Sequence, residues 1–527
     1  MKKNLFLTVG LMVWVIWSCV YAQYSYGANL TSDYKKITVS KFVIKGHTKL
    51  STNHLNKLIE SYLQKNYPDR QLSYSDLKNI TQLITRCYHE KGYILAKAYF
   101  PQQDIVDGIV TIEVLEGKLD KIQVTGNTYY HEDLLKSYLK QQVKEKIIHE
   151  SLLERGQLLI NELPFSDTTM LLTKGEKQGT VDILLKTKDQ FAGTCAIDYN
   201  NYGSETVSKN RYGVSFSITD PILGLNCSLR GISGDDVNQS SLGFFKLQFP
   251  VGYLGSSCEF SYLNSSSILG QELEMLDING TTDVYSIQVN HPFIKKRTQT
   301  LSVSVGYERK WSDVRSNDEI ITDPYKINTY SIGIHGDFLD AYMGKTIATY
   351  NLTFGEIQGN TSGYDKHFMY SSTSLFRIQK IRGYHHLILR ASAQFSDNIL
   401  PQLEQTVIGG YDTVRGHDAY LYMGNKGYSL SAEFNIAPPI IANDELWGQH
   451  IGEMMQLALF FDHAGIHNSS NTNTMDVGKT EELSGYGIGL RFYYKEWFQM
   501  KIDYAKPTKT IDDNDSDMFY FQTSWHY

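Results

Sequence analysis

The segment Gly409-Gly410-Tyr411-Asp412-Thr413-Val414-Arg415-Gly416-His417 places one guanidinium in a run suited to a tight turn. Glycine reaches backbone conformations closed to other residues, so the two leading glycines and Gly416 let the chain fold back and present Arg415. A guanidinium is a rigid fork that matches a carboxylate through two parallel hydrogen bonds. The run Leu457-Ala458-Leu459-Phe460-Phe461-Asp462-His463-Ala464-Gly465 supplies a candidate partner. If Leu457, Leu459 and Phe461 face an apolar medium, alternation turns Asp462 the other way. Breaking such a pair in a buried setting costs roughly 3–5 kcal/mol. The plainer reading of Arg415 is a solvated loop arginine. His385, His386, His417 and His463 invite a metal or hydrolase reading. Yet neither His-x-x-x-His on a helix nor Gly-x-Ser-x-Gly at a strand–helix turn occurs in its proper context. No catalytic residue, metal or cofactor is expected, and an enzyme is not the reading preferred.

Both runs belong to a long region, about 192 to 527, in which apolar and polar residues alternate. Tyr212, Val214, Phe216 and Ile218 alternate with Gly213, Ser215 and Ser217, and Phe498, Met500, Ile502 and Tyr504 with Gln499, Lys501 and Asp503. Period-2 patterning over about 8–11 residues fits tilted membrane-spanning strands. The polar face carries Glu, Lys, Asp and Arg, which suits a wet lumen better than a dry core. We place strands at about 194–200, 210–218, 224–231, 240–248, 254–263, 283–290, 299–309, 326–336, 345–355, 368–377, 386–395, 427–435, 455–462, 485–494, 497–505 and 518–526. That makes about 16 antiparallel strands, the even number of a bacterial barrel. Sheet edges are not tolerated in lipid, so the sheet must close. The longest connection, about 396–426, carries Arg415, and the Asn/Ser/Thr-rich 464–484 is a second long loop. Phe519, Phe521, Thr523, Trp525 and Tyr527 share one face of the last strand and resemble the terminal signal by which outer-membrane barrels are recognised for assembly.

The preceding region mixes helix and strand, twice over. Phe42 to Thr48 resembles Ile122 to Thr128, with Gly46 and Gly126 at matching turns 80 positions apart and Asn127 following the second. A helix follows each, with Leu55, Leu58, Ile59 and Tyr62 on one face of the first and Leu134, Leu135, Tyr138 and Leu139 on one face of the second. Ser73 with Asp76, and Ser151 with Glu154, read as start boxes for a further helix in each repeat. Strands close each repeat: 94–100 and 109–115, then 168–172 and 181–187. The expected fold is therefore two α+β repeats, 37–118 and 119–190, before an all-β barrel. An open sheet edge in such a repeat can accept an extended peptide. The plainer reading of the repeats is as spacers that bind nothing.

Lys2 and Lys3, the apolar stretch from Leu5 to Val20 and Val20-Tyr21-Ala22 read as a secretory leader, 1–22, followed by a short segment, 23–36. The formal net charge of -7 gives no sign of a nucleic-acid partner. Cys87 reads as core filling on a helix, and the wide spacing of Cys195, Cys227 and Cys258 shows no metal pattern.

Val414-Arg415-Gly416-His417 resembles the Val-Arg-Gly-Tyr/Phe tetrad of the Omp85 superfamily, and Phe460-x-Asp462-x-x-Gly465 its Phe-x-Asp partner motif. Gly92 to Ile105 and Asp107 to Gly117 resemble the N-terminal POTRA domain of haemolysin and haemagglutinin transporters, the TpsB proteins of two-partner secretion. The resemblance spans nearly the whole chain after the leader. It implies that the repeats face the periplasm and capture a secreted TpsA-type exoprotein, an adhesin or haemolysin, which the barrel passes to the surface. It implies that the loop carrying Arg415 folds into the lumen and clamps to Asp462. The implied partners are that exoprotein, outer-membrane lipid, periplasmic chaperones and the barrel-assembly machinery, around a monomeric barrel. His417 departs from the aromatic of the tetrad, and the roughly 14 residues before the first repeat strand are too few for the plug helix of some members. One rival is a barrel-assembly or insertase factor, which resembles this chain but carries three to five repeats. Another is a passive porin or channel, which needs neither repeats nor tetrad.

Overall fold

The computed structural model describes residues 36–143, 147–269, 278–316, 319–359, 363–467, 480–509 and 517–527. The expected leader, and the segment 23–36 but for its last residue, lie outside the described residues.

The first repeat is built on β2 (Lys41–Lys45), β4 (Lys97–Tyr99) and β5 (Ile109–Leu115), in the order β2-β5-β4. A small pair, β1 (Ile37–Thr38) with β3 (Gln71–Leu72), flanks it. β2 and β5 run parallel, so the chain between them must cross over, and it does so through two helices. They are α1 (Thr52–Asn66) and α2 (Tyr74–Glu90). Alternation in β5 sends Val110, Ile112 and Val114 into the core, where they meet Leu55 and Ile59 of α1 and Ile80 and Ile84 of α2. α2 opens with the capping box read from the sequence, Ser73 with Asp76. Cys87 is buried on α2 in this core.

The second repeat follows the same plan. β6 (Lys118–Thr125), β7 (Ser166–Lys174) and β8 (Thr180–Asp189) order as β6-β8-β7, with α3 (Glu132–Gln142) and α4 (Glu150–Ile160) between β6 and β7. Leu134, Leu135 and Leu139 of α3 and Leu159 and Ile160 of α4 are buried, as are Ile183 and Leu185 of β8. The start box expected at Ser151 is displaced: α4 already begins at Glu150, so Ser151 lies inside the first turn. The first closing strand of repeat one is shorter than expected, Lys97–Tyr99 rather than 94–100, because the preceding residues make turns.

The barrel closes with sixteen antiparallel strands. They are β9 (Gly193–Asn200), β10 (Arg211–Thr219), β11 (Asn226–Ser233), β12 (Ser240–Pro250), β13 (Ser257–Ile268), β14 (Ile278–Lys296), β15 (Gln299–Ser316), β16 (Glu319–Leu339), β17 (Gly344–Gln358), β18 (His367–Arg382), β19 (His385–Phe395), β22 (Lys426–Ile436), β25 (Met455–His467), β26 (Thr480–Tyr494), β27 (Phe498–Pro507) and β28 (Met518–His526). Two short hairpins interrupt the series: β20 (Thr406–Ile408) with β21 (Tyr422–Gly424), and β23 (Glu445–Leu446) with β24 (Gln449–His450). Every expected strand is present, but β14 to β18 run 15 to 21 residues instead of 8–11. About 9–11 residues suffice to cross the hydrocarbon, so the surplus continues the ladder beyond it. The expected loop 464–484 is likewise shorter, because β25 runs on to His467 and β26 starts at Thr480; 468–479 lie outside the described residues.

β28 closes the barrel on β9 through five register pairs, Gln522–His526 with Ala196–Asn200. The terminal Tyr527 adds a reciprocal backbone pair with Cys195 at 2.7 and 2.8 Å. Phe519 and Trp525 project outward, exposed. Phe521 is half-buried on the same side.

Candidate functional site

The connection from β19 to β22 folds into the barrel as an ordered finger. It opens with a short 3-10 turn, Gln402–Glu404, and continues as the β20–β21 hairpin. Ile408 and Val414 are fully buried against Ala464 and Ile466 of β25 and Leu483 of β26. The hairpin's apolar face thus holds the tip against the wall, and the tip carries the arginine.

Arg415 is 3% exposed, so the solvated-loop reading is wrong. Its Nε donates to Asp462 Oδ2 at 2.7 Å and its Nη2 to Oδ1 at 2.9 Å, while its backbone N–H reaches Oδ2 at 3.2 Å. The third nitrogen, Nη1, donates to Glu433 Oε2 at 3.0 Å and to Asp503 Oδ2 at 3.4 Å. Phe460 lies under the guanidinium, 3.4 Å from ring centre to Cζ, close enough for cation–π attraction. Alternation along β25 turns Phe460 and Asp462 inward while Leu457, Leu459 and Phe461 stay exposed on the outer surface.

The sequence reading missed half of this cluster. Arg491 of β26 donates from Nε and Nη2 to both oxygens of Glu433, at 3.1 and 2.8 Å, and from Nη1 to Asp503 at 2.6 Å. Five charged side chains, each at most 3% exposed, therefore share one site: two guanidiniums and three carboxylates. Lys501 stands on the same face of β27 as Asp503 and directly across from Arg491 in register, which brings the balance to three and three. Burial of charge is tolerable only when charges are paired and their hydrogen bonds filled, as here.

A second missed feature makes room for the tip. Gly485, Gly487 and Gly489 occupy alternate positions of β26. A Cβ on Gly485 would overlap the carbonyl oxygen of Arg415, one on Gly487 would meet the Phe460 ring at 2.5 Å, and one on Gly489 would overlap Asp503. The signal was legible as Gly-x-Gly-x-Gly within an otherwise bulky strand. Gly416 takes φ +96° and backs onto Lys506 and Pro507, where a Cβ would lie 2.8 Å from the Lys506 carbonyl carbon. Gly465 leaves space for the Tyr428 ring, which a Cβ there would meet at 2.8 Å. His417 is buried, its Nε2 3.2 Å from the Ser484 carbonyl and its Nδ1 without a hydrogen-bond partner among the described residues. Tyr411 stacks on Tyr202 at 3.6 Å and meets Tyr520 edge-on, and the Gly416 N–H donates to the Tyr520 hydroxyl at 3.2 Å.

The histidines flagged from sequence find ordinary partners. His463 bonds Ser484 Oγ at 2.8 Å and the Tyr428 hydroxyl at 2.9 Å, and His385 lies 3.2 Å from the Ala437 N–H. Among the described residues no three His, Cys, Asp or Glu converge as a metal site.

In the repeats, Gly46 and Gly126 take φ +80° and +84° and back onto carbonyls of the central strands, Val114 and Thr187. Asn127 donates from Nδ2 to the Tyr130 carbonyl at 2.9 Å. Each turn is held by a carboxylate the sequence reading did not single out. Glu116 accepts from the N–H groups of Thr48 and Lys49 at 2.6 and 2.8 Å, from the Thr48 hydroxyl, and from the Tyr88 hydroxyl at 3.0 Å. Asp189 accepts from the N–H groups of Thr128, Tyr129 and Tyr130 at 2.5, 3.2 and 2.8 Å. Burial alone would raise both carboxyls, but these donated hydrogen bonds outweigh it and hold each below its ordinary value. The second repeat is also bonded to the barrel: the Arg155 guanidinium of α4 caps the carbonyls of Leu254, Pro292 and Phe293 at 2.8, 2.5 and 3.3 Å.

Residues 179–492 match the model of the haemolysin secretion/activation protein family ShlB/FhaC/HecB, and residues 37–117 match the ShlB-type POTRA domain. The chain belongs to this haemolysin secretion/activation family. It is an outer-membrane transporter of two-partner secretion, with its POTRA region on the periplasmic side. Among its relatives is the heme/hemopexin transporter protein HuxB of Haemophilus influenzae (strain 86-028NP), 24% identical over 87% of this chain and 82% of the relative. The outer membrane transporter CdiB of Escherichia coli O6:K15:H31 is 22% identical over 76% of this chain and 68% of its own. Among solved structures, CdiB from Escherichia coli superposes with a TM-score of 0.75 at 18% identity, covering 95% of this chain and 92% of that one. CdiB from Acinetobacter baumannii gives 0.71 at 17%, covering all of both chains. Members of this transporter family are known for moving exoproteins across the outer membrane, and the fold of this chain is theirs.

Proposed function

We propose that this transporter captures one exported TpsA-type exoprotein, an adhesin or haemolysin, on the sheet edges of its two periplasmic repeats. The barrel then passes the chain outward while the Arg415 finger sets how far the lumen is open. The observation that carries this reading is the buried, bidentate Arg415–Asp462 pair at the tip of a finger packed against the barrel wall. The finger is a removable part of the wall: its tip takes no place in the ladders of β25 to β27 and leaves them complete. The two three-stranded sheets support the capture step, since β4 and β7 are edge strands with one side unpaired in their sheets. Outer-membrane lipid surrounds the barrel in this reading, and periplasmic chaperones with the barrel-assembly machinery deliver it as a monomer, reading Phe519, Phe521, Trp525 and Tyr527.

The test is a comparison of secreted and surface proteins from cells with and without the gene. Loss of one large exported protein, restored by the wild-type chain, supports the proposal. A general loss of outer-membrane barrels would favour an assembly factor, and no change in any secreted protein would favour a passive channel.

A further inference from the structure

The finger is fastened at a second place, and the fastening is of another kind. Glu404, 4% exposed, ends the short 3-10 turn at the finger's base. Its Oε1 pairs with Lys310 Nζ of β15 at 2.8 Å, and its Oε2 accepts from the Tyr370 hydroxyl of β18 at 2.9 Å. Its carbonyl accepts from Gln394 Nε2 of β19 at 2.8 Å. Four residues earlier Leu400 is fully buried among Ile327, Ile357 and Phe368, on three successive strands β16, β17 and β18. The two legs of the finger are tied together here. The Leu400 N–H donates to Asn425 Oδ1 at 2.9 Å, and Lys426 Nζ reaches Asp397 Oδ1 at 2.6 Å. The stem thus rests on the arc β15 to β19, whereas the tip rests on β22 to β28.

The two attachments differ in how they can fail. The tip carboxylates Glu433 and Asp503 keep Arg491 when Arg415 departs, so only Asp462 is left without a cation. The stem is held by more than its ion pair. If Glu404 departs, Lys310 keeps only Glu308, at 3.0 Å and more exposed, and Leu400 must leave its pocket as well. Backbone bonds reinforce the outgoing leg: Asp365 N–H to the Ile399 carbonyl at 3.0 Å, and Ile399 N–H to Asp365 Oδ2 at 2.9 Å.

We propose that Glu404, paired with Lys310, is a positioning residue that anchors the finger's stem, so that residues 406–424 alone swing away from the wall when the Arg415 clamp opens. The finger then stays tethered inside the barrel, and the passage opens between the tip and β22 to β28. The proposal rests on the reading of the finger as a movable element, but its test needs no cargo, so the two fail separately.

The test is hydrogen exchange, read by mass spectrometry, on the full chain in lipid nanodiscs, with single-channel recording in potassium chloride alongside. Local opening sets the exchange rate of each segment. In Arg415→Ala, exchange over 409–418 accelerates while 396–405 stays within about twofold of wild type. In Lys310→Met, exchange over 396–405 accelerates on the order of a hundredfold, as loss of one partner of a buried ion pair dictates. Lys310→Met with Glu404→Gln, which removes both charges, recovers most of that protection. Arg415→Ala with Lys310→Met shows a larger sustained conductance than Arg415→Ala alone. Equal acceleration of tip and stem in Arg415→Ala, or an unmoved stem in Lys310→Met, overturns the proposal. So does a combined variant with the conductance of Arg415→Ala.

Discussion

Replacing Asp462 by Asn keeps the shape of the side chain and removes its charge. In the structure Asp462 takes three donors from one residue: Nε, Nη2 and the backbone N–H of Arg415. An amide offers one oxygen, so Nε and the backbone N–H, both on Oδ2, can keep an acceptor. Nη2 then faces an NH2 group, donor against donor. A charge-assisted hydrogen bond contributes about 1.5–3 kcal/mol net, and a stranded donor costs about 1–3. The undocked state is hydrated, which trims the sum to about 3 kcal/mol, short of the full penalty for a sealed core. Each 1.4 kcal/mol is tenfold, so the docked-to-undocked ratio of the tip falls roughly a hundredfold. Planar-bilayer recording reads this as a rise of that order in the ratio of open to closed dwell time. Secretion falls in parallel, and the barrel still resists unfolding in cold detergent. Glu433→Gln gives a smaller effect, because Arg415 reaches Glu433 through Nη1 alone. An Asp462→Asn channel with unchanged dwell times would refute the reasoning, since a buried bidentate pair cannot lose its charge without consequence.

Further expectations follow from single contacts. Gly485→Val forces a side chain into the Arg415 carbonyl and so displaces the tip, which secretion assays and channel recording detect while strand pairing survives. His417→Phe docks nearly as well as wild type, within about 1 kcal/mol, because the Ser484 carbonyl keeps the Thr508 N–H at 2.8 Å; His417→Ala leaves a void and opens the channel more often. In the first repeat, Glu116→Ala costs about 2–4 kcal/mol in chemical denaturation of fragment 36–190, by stranding the donors of Thr48, Lys49 and Tyr88. The Glu116 and Asp189 carboxyls sit below their ordinary values when folded, so their stabilisation is present above those values and is lost as pH falls through the folded ones. Denaturation midpoints of that fragment should therefore drop on acidification below about pH 4.5, the ordinary glutamate value, and drop less in Glu116→Gln.

Alternation decided most of the architecture, because a strand between lipid and a wet lumen has little choice. Val214, Phe216 and Ile218 face outward where period-2 patterning sends them, and all sixteen strands lie where patterning sets them. Strand ends were less legible: β14 to β18 overrun the membrane, and beyond the hydrocarbon neither face is selected for polarity. The helix start at Glu150 was misplaced by a local Ser/Glu pattern that also fits a first turn.

The residues of the tip were legible as types, since a glycine-flanked arginine and an inward aspartate suit one another chemically. Glu433, Arg491 and Asp503 were not, because an inward charge on one strand looks the same whether it meets water or a partner two strands away. Glu116 and Asp189 were hidden for the same reason, each lying more than 55 positions from the turn it holds. By itself the sequence determined which faces are apolar, where the chain turns and that Arg415 is presented on a tight bend. Only the tertiary structure decided that five charges meet at the tip and that Glu404 finds Lys310 at the stem. Those pairings join residues 12 to 94 positions apart, and their partners are chosen by barrel closure and register, which no local pattern encodes.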